Sequence, residues 1–411
     1  METIKNRIEK NLEDLKQFTA TPGNGCTRLP FTKEARDAAD YLKKVMEAAG
    51  LEVHEDVAGN VFGILKGEDE SAPCVMMGSH YDSVANGGDF DGIAGVVAAI
   101  EAARQLRERG AKVKRNFVAV GFCDEEGFRF GTGYFGSGAM LGNRDVEYCK
   151  KFKDNNGISI YDAMKEYGLD PEKITEAKWP EGSIGSFIEL HIEQGPVLDT
   201  EKIELGLVNC IVGIQRYMVS VHGRADHAGT TPMDMRLDAV DAATKVISKI
   251  PDWAREKGNG TVATTGYIKT VPGGMNVVAE RVDFTIDIRS TNNDYLNDIS
   301  GKIRAALDKE VAAMGGSYDI ETKLIITPVM LSEEMLDIME EDCKAKGYSY
   351  KRLPSGAGHD SLEIGQVIPT VMLFVPSKDG RSHCPVEYTS YEDFAKAAVV
   401  MTDLAQTLLE R

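Results

Sequence analysis

The chain carries little that would anchor it in a membrane, staple it covalently or wrap it around nucleic acid. Nowhere do 18 apolar residues run together, so no membrane-spanning helix is expected. The opening METIKNRIEKNLEDLKQF mixes charges every few residues and has no apolar segment of the kind a secretory signal needs. Cysteine is sparse: seven residues, at 26, 74, 123, 149, 210, 343 and 384, an odd number with no CxxC pair. That argues against a disulfide framework and a Cys-type zinc site, and for a reducing, cytoplasmic compartment. Positive charge is also short. Lys and Arg number 47 against 65 Asp and Glu, a formal net charge of −18. So acidic a surface repels phosphate backbones and anionic lipid heads, which excludes nucleic acid and membrane as expected partners. A small anionic substrate stays admissible, because a local pocket can oppose the net field. Repeats of 20–50 residues and low-complexity tracts are missing too.

What is present is a globular composition, 42% hydrophobic and 27% charged over 411 residues. At roughly 150 residues per domain this predicts two to three domains, with cores large enough to need no disulfides. Apolar residues at helical spacing predict helices over 2–18 and 33–49. Thr32 and Glu34 mark the start of the second and Gly50 its end. Short apolar runs at 61–65, 74–79, 117–123 and 187–192 read as buried strands, with a strong helix at 93–109 between two of them. Strands alternating with helices predict an α/β layer covered on both faces. From about 212 to 327 the pattern becomes strand 216–222, helix 237–250, strands near 261–268 and 282–290, and helix 294–314. We expect a smaller α+β domain there, a four-stranded sheet backed by two helices, inserted into a larger α/β domain formed by 1–211 and 328–411. Helices at 333–346 and 391–409 and a strand at 371–374 complete the larger domain.

Seven histidines are few, and several lie beside glycine or carboxylates at strand ends. In GSHYDSVANGGDFDGIAGV, residues 78–96, His80 ends a buried strand, Asp82 follows, and Asp91 opens a helix. Imidazole and carboxylate suit Zn²⁺ or a similar divalent ion, and a carboxylate can bridge two ions. Asp82 could orient His80. The plainer alternative is a turn whose Asp89 or Asp91 caps the helix. In FCDEEGFRFGTGYFGSG, residues 122–138, Asp124, Glu125 and Glu126 follow a strand, where sheet proteins place ligand-binding residues. The alternative there is a solvated acidic loop. Neighbours on an extended chain face opposite ways. One glutamate could therefore bind a metal while the other faces the attacking water. Gly131, Gly133 and Gly136 match GxGxxG, but a dinucleotide fingerprint belongs in the turn directly after a strand, which the acids occupy. His191 on the strand IELHIEQGPVL and His383 in GRSHCPVE are weak signals alone. Joined to His80, Asp91 and Glu126 they make five N/O ligands, enough for two metals sharing one carboxylate.

Further candidates lie between 212 and 361. His227 sits in a Gly/Thr-rich turn, Asn276 follows Pro272-Gly273-Gly274, and Arg289 ends FTIDIRS. Arg289 could hold a carboxylate bidentately or form an ordinary surface salt bridge. His227 and Asn276 could polarise a carbonyl. The loop SGAGHDS, 355–361, adds Gly358, His359 and Asp360, its glycines permitting close approach to a ligand.

Together these motifs resemble the co-catalytic metallopeptidase superfamily of aminoacylases, dipeptidases and di-zinc carboxypeptidases. GGDFDG at 87–92, EEGFRF at 125–130, ELHIEQGP at 189–196, GRADHAGTTPM at 223–233 and GAGHD at 356–360 are similar, more narrowly, to the hydantoinase/carbamoylase amidases. That family includes N-carbamoyl-L-amino-acid hydrolases, β-ureidopropionases and allantoate amidohydrolases. The resemblance, from about residue 20 to 390, implies a large di-metal peptidase-like α/β/α domain with an inserted dimerisation domain. It implies that His80, Asp91 and His191 hold one divalent ion and Asp91, Glu126 and His383 the other, as Zn²⁺, Mn²⁺, Co²⁺ or Ni²⁺. Glu125 would be the general base and Asp82 its support. His227 would stabilise the oxyanion in the neighbouring subunit of a homodimer. Gln215, Asn276 and Arg289 match substrate-binding positions. Asp124 stands where relatives often carry Asn or Glu, and could tune the charge of the site. The implied reaction is hydrolysis of a ureido C–N bond, releasing ammonia and carbon dioxide. The rivals are an aminoacylase or dipeptidase with the same machinery, and a non-catalytic metal-binding or interaction protein.

Overall fold

Four apolar runs set the layout of the larger part of the chain. Cys74–His80, Phe117–Phe122, Ile184–Ile192 and Thr370–Val375 are buried along nearly their whole length. Strands buried on both faces belong in a parallel sheet covered by helices. In the computed structural model, which describes all 411 residues, they lie side by side and parallel. His80 is in register with Phe122, Met77 with Ile188, and His191 with Phe374. Val61–Leu65 and Glu52–Glu55 extend this nine-stranded sheet antiparallel on one side, and Leu205–Ile211 on the other.

Helix Ile93–Glu108 is the crossover that a parallel pair requires. It is buried almost all round, Glu101 and Gln105 included, and it packs on Cys74–His80 with its outer side under the helix Tyr391–Leu409. Val96, Ile100, Leu106, Phe117, Leu373, Phe394 and Leu404 share the resulting core. The helix expected over 2–18 ends earlier, at Leu15, while Lys33–Ala48 starts as read, with the Thr32 side chain capping Ala35 N–H. All seven cysteines are unpaired, six of them buried.

By internal contacts the chain divides into two units, Met1–Asn209 with Met330–Arg411, and Cys210–Val329. The second has its own sheet, ordered Ile268–Val271, Arg281–Ser290, Gly213–His222, Ser317–Ile326, all antiparallel. Inward residues alternate with outward polar ones along Arg281–Ser290, as in a sheet packed on one face. Phe284, Ile286 and Ile288 meet Leu296, Ile299 and Ile303 of the helix Asn293–Met314. Two details differ from the sequence reading. The strand expected near 261–268 is split into Val262–Thr264 and Ile268–Val271, both on Arg281–Ser290. Thr264 pairs with Asp287 and Ile268 with Phe284, so four steps on one strand oppose three on the other, a bulge beside Gly266. The helix expected over 237–250 is Ala239–Ile247, and a second helix the sequence reading did not foresee, Ile250–Lys257, follows it with Pro251 in its first turn, where no backbone donor is needed.

Backbone proximity in the parallel sheet gives a stability test. A Cβ at Gly78 would overlap the Val120 carbonyl oxygen on the neighbouring strand, whereas one at Gly301, within Asn293–Met314, would meet nothing. Gly78→Ala should destabilise the protein by about 1–3 kcal/mol, and Gly301→Ala should stabilise it by about 0.5–1 kcal/mol, both read by urea denaturation.

Candidate active site

The carboxyl ends of the four parallel strands converge on one group of side chains, the edge where open α/β sheets bind ligands. His80 is the last residue of its strand and His191 the penultimate residue of its own. Asp124, Glu125 and Glu126 follow Phe117–Phe122, and His383 lies in the loop beyond Thr370–Val375. Asp91 precedes helix Ile93–Glu108 without capping it: the N-cap is Gly92, at φ +65°, with no side-chain bond. A Cβ at Gly92 would overlap the His80 ring. Only glycine therefore allows both this left-handed turn and the approach of Asp91 to His80.

Two groups of potential ligands share Asp91: His80, Asp91 and His191, and Asp91, Glu126 and His383. Asp91 Oδ1 lies 3.4 Å from His80 Nε2 and 3.1 Å from His191 Nε2, and the two imidazole nitrogens are 3.4 Å apart. Asp91 Oδ2 lies 3.4 Å from His383 Nε2, which is 3.5 Å from Glu126 Oε2. A tetrahedral ion with ligands at about 2.0–2.1 Å holds them roughly 3.3–3.4 Å apart. The spacing, the N/O donor set and the buried, unpartnered Glu126 Oε1 fit a divalent cation in each group.

The electrostatics are those of acids held out of water. Burial pushes Glu125 well above the usual carboxylate range, reinforced by Glu126, Asp360 and Asp82, with His80 opposing. Burial and Asp91 push Glu126 up to about 7. Against its own burial, Asp91 is held well below that range by His191, His383 and His80. Asp124, expected as a tuner of charge, is fully buried at φ +60°, and burial with Asp82 raises it well above the usual carboxylate range. Asp82 accepts the backbone N–H groups of Glu125 and Glu126, at 3.1 and 3.3 Å, so it orders the acidic pair as well as standing 3.5 Å from His80 Nδ1. Glu125 Oε2 is 3.7 Å from His80 Nε2.

The remaining candidates divide between the two units. In the first, His359 is buried with its ring 4.4 Å from that of His191, and Nε2 faces Ser355 Oγ at 2.9 Å. Burial and His191 keep it neutral. Gly358 is bare because a Cβ would overlap the Tyr134 hydroxyl. In the second unit, Asp226–His227 pairs with Val277–Val278, which sets Asn276 beside His227; Asn276 C=O accepts Ala228 N–H at 3.0 Å. His227 Nδ1 accepts from Gly229 and Thr230 N–H at 3.0 and 3.2 Å, the tautomer that carries its ring proton on Nε2. Arg289 donates to Asp287, which also accepts from Arg216. Gln215 is buried, donating to Asn297 Oδ1 and accepting from the Tyr217 hydroxyl.

Sequence reading passed over four residues around the ligands. Gln194, at φ +58°, donates through Nε2 to Asp91 Oδ2 at 2.7 Å. Glu189, beneath His191 on the strand, accepts from the Ser79 hydroxyl and from Ser361 N–H and hydroxyl. Ser382 and Glu387 flank His383 and contact the Asp91 turn. The only signal in the sequence was their place within the same short motifs as the ligands.

Residues 76–407 match the model of peptidase family M20/M25/M40. The chain is 40% identical over 402 residues to an N-carbamoyl-L-amino-acid amidohydrolase of Paenarthrobacter aurescens, covering 98% of this chain and 97% of the other. It is 37% identical over 406 residues to an allantoate amidohydrolase of Bacillus subtilis (strain 168), covering 99% and 98%. Among solved structures, an amidase of the hydantoinase/carbamoylase family from Burkholderia multivorans superposes with a TM-score of 0.89 at 31% identity, covering 98% and 97%.

Proton release tests the ligand groups directly. The hydrogen bond to Asp91 raises His383 to about 9 in the metal-free protein. It is then protonated at pH 7 and must lose that proton to become a ligand. Cation binding at pH 7 should release protons, and affinity should rise between pH 7 and 9. Titration calorimetry in buffers of different ionisation heat measures both; binding heats independent of buffer would remove His383 from the ligand set.

Proposed function

Since the chain belongs to peptidase family M20/M25/M40, we propose that it is an amidohydrolase cleaving the ureido C–N bond of an N-carbamoyl-L-amino acid or a related ureido acid, N-carbamoyl-β-alanine or allantoate, with release of ammonia and carbon dioxide. The observation that carries this reading is full-length similarity to two kinds of ureido-acid hydrolase, in a chain whose strand ends assemble two ligand groups on one carboxylate.

His80, Asp91 and His191 would hold one divalent cation, and Asp91, Glu126 and His383 a second, as Zn²⁺, Mn²⁺, Co²⁺ or Ni²⁺. Bound there, the cations supply Lewis acidity that lowers the pKa of water and polarises the substrate carbonyl. Glu125, its carboxyl raised above the usual carboxylate range by burial, would take the proton of the attacking water and pass it to the departing ammonia. Asp82 holds Glu125 in place through its backbone N–H. His227, through Nε2–H, and Asn276 donate to the developing oxyanion. Arg289 binds the substrate carboxylate bidentately, while His359 and Gly358 line the substrate site. Gln215 joins the substrate set on the family resemblance alone. On the same basis the protein is a homodimer built through residues 212–327, with His227 serving the neighbouring subunit. Seven unpaired cysteines and the lack of any helix long and apolar enough to cross a membrane support a cytoplasmic enzyme.

The decisive assay is ammonia release by manganese-reconstituted protein from allantoate, N-carbamoyl-β-alanine and several N-carbamoyl-L-amino acids, with N-acetyl amino acids as controls. Ammonia from one ureido compound is expected and identifies the substrate. Acetate from the controls, with no ammonia from any ureido compound, would make the enzyme an acylase. Glu125→Gln should lower kcat by about 10²–10⁴-fold with metal content unchanged. Arg289→Ala should raise KM for carboxylate substrates about 10- to 100-fold and leave kcat nearly as it was. Steady-state kinetics with metal analysis reads both, and an unchanged KM would remove Arg289 from the substrate site.

A further inference from the structure

His383 is the most exposed of the five ligand candidates. Its side chain is 48% exposed and its backbone sits at φ +54°, in a loop far in sequence from the buried Asp91 with which it shares a ligand group. Glu387 ties the two together. Its Oε1 accepts the backbone N–H groups of Phe90 and Asp91, both at 3.1 Å. Its Oε2 lies 2.9 Å from Ser382 Oγ, which is also 2.9 Å from Asp91 Oδ2. The carboxylate is buried, and a Cβ on Gly88 would overlap it, so the turn before Asp91 is bare where the side chain passes. Glu387 itself belongs to neither ligand group.

We propose that Glu387 is a positioning residue that clamps the His383 loop to the Asp91 turn and so presets the Asp91–Glu126–His383 group for its cation, with Ser382 as the link. The inference rests on the two-cation reading above. An exposed loop ligand must otherwise be ordered when the ion arrives, and that ordering subtracts from affinity. Bonds that orient ligands from behind are typically worth about 10- to 100-fold in metal affinity. Asp91 belongs to both groups, but the clamp reaches the His383 loop and, through Ser382, the Oδ2 that faces His383, while Oδ1 faces His80 and His191 and no Glu387 contact reaches either, so its effect falls chiefly on the Asp91–Glu126–His383 group.

Calorimetric titration of the metal-free protein with Mn²⁺ tests this without reference to turnover. Wild type should take up two ions. Glu387→Ala should weaken one of the two sites about 10- to 100-fold, and the site weakened should be the one that His383→Ala abolishes. Placed on His383→Ala, Glu387→Ala should weaken the surviving site no further. Glu387→Gln should restore binding, since its carbonyl can accept both N–H groups while its amide donates to Ser382 Oγ, a rescue that a general loss of packing would not show. Two full-affinity sites in Glu387→Ala overturn the clamp and leave the two-cation reading intact, as does equal weakening of both sites. Fewer than two ions on wild type overturns that reading and the clamp with it. Should Glu387→Ala fail to fold, Ser382→Ala carries the test: selective weakening of the same site supports the clamp, and wild-type affinity at both sites overturns it.

Discussion

The carboxylate of Asp91 is the interaction on which the rest of the centre depends. Its Oδ1 faces His80 and His191, its Oδ2 faces His383, and no other side chain belongs to both ligand groups. A carboxylate so deeply buried stays ionised only where positive charge and hydrogen-bond donors surround it, and here they come from three separate stretches of chain, around His80, His191 and His383. The surrounding fold is a means of holding those stretches still. Parallel strands end at one edge, and the helix after Asp91 is locked beneath the sheet by its apolar surface.

Around Asp91 the protein concentrates acids that water would ordinarily solvate. Asp82, Glu125, Asp124, Glu189 and Asp360 are all buried. Such a cluster is costly unless protons or cations neutralise it. Asp124, Glu125 and Asp360 respond by rising well above the usual carboxylate range, chiefly through burial. The same desolvation suits the site to a divalent cation and raises Glu125 well above the usual carboxylate range. An environment suited to a cation and a carboxylate of raised basicity are thus two results of one desolvation.

The second unit works by a different principle. Its sheet is buried on one face only, and the outward positions of Gly213–His222 and Arg281–Ser290 hold a polar network of Arg216, Asp287 and Arg289. Its two-stranded ladder brings His227 and Asn276 together although 48 residues separate them in the chain. Hydrogen-bonding side chains rather than candidate metal ligands are displayed there.

The sequence by itself determined the elements and the chemistry. Short apolar runs read as strands, the segment 93–109, rich in Ala, Val and Ile, as a helix, and five N/O side chains at strand ends, a helix start and a loop already pointed to metal. These were legible because period, length and residue type are local properties. Tertiary structure alone decided which oxygen of Asp91 faces which histidine, that burial raises Asp124 above the usual carboxylate range, and that Gln194, Ser382 and Glu387 stand behind the ligands. It also decided the bulge that splits one strand of the second sheet. Each of these depends on the distance between residues remote in sequence, or on how much water a fold leaves at a carboxylate. Neither quantity exists until the chain has closed on itself.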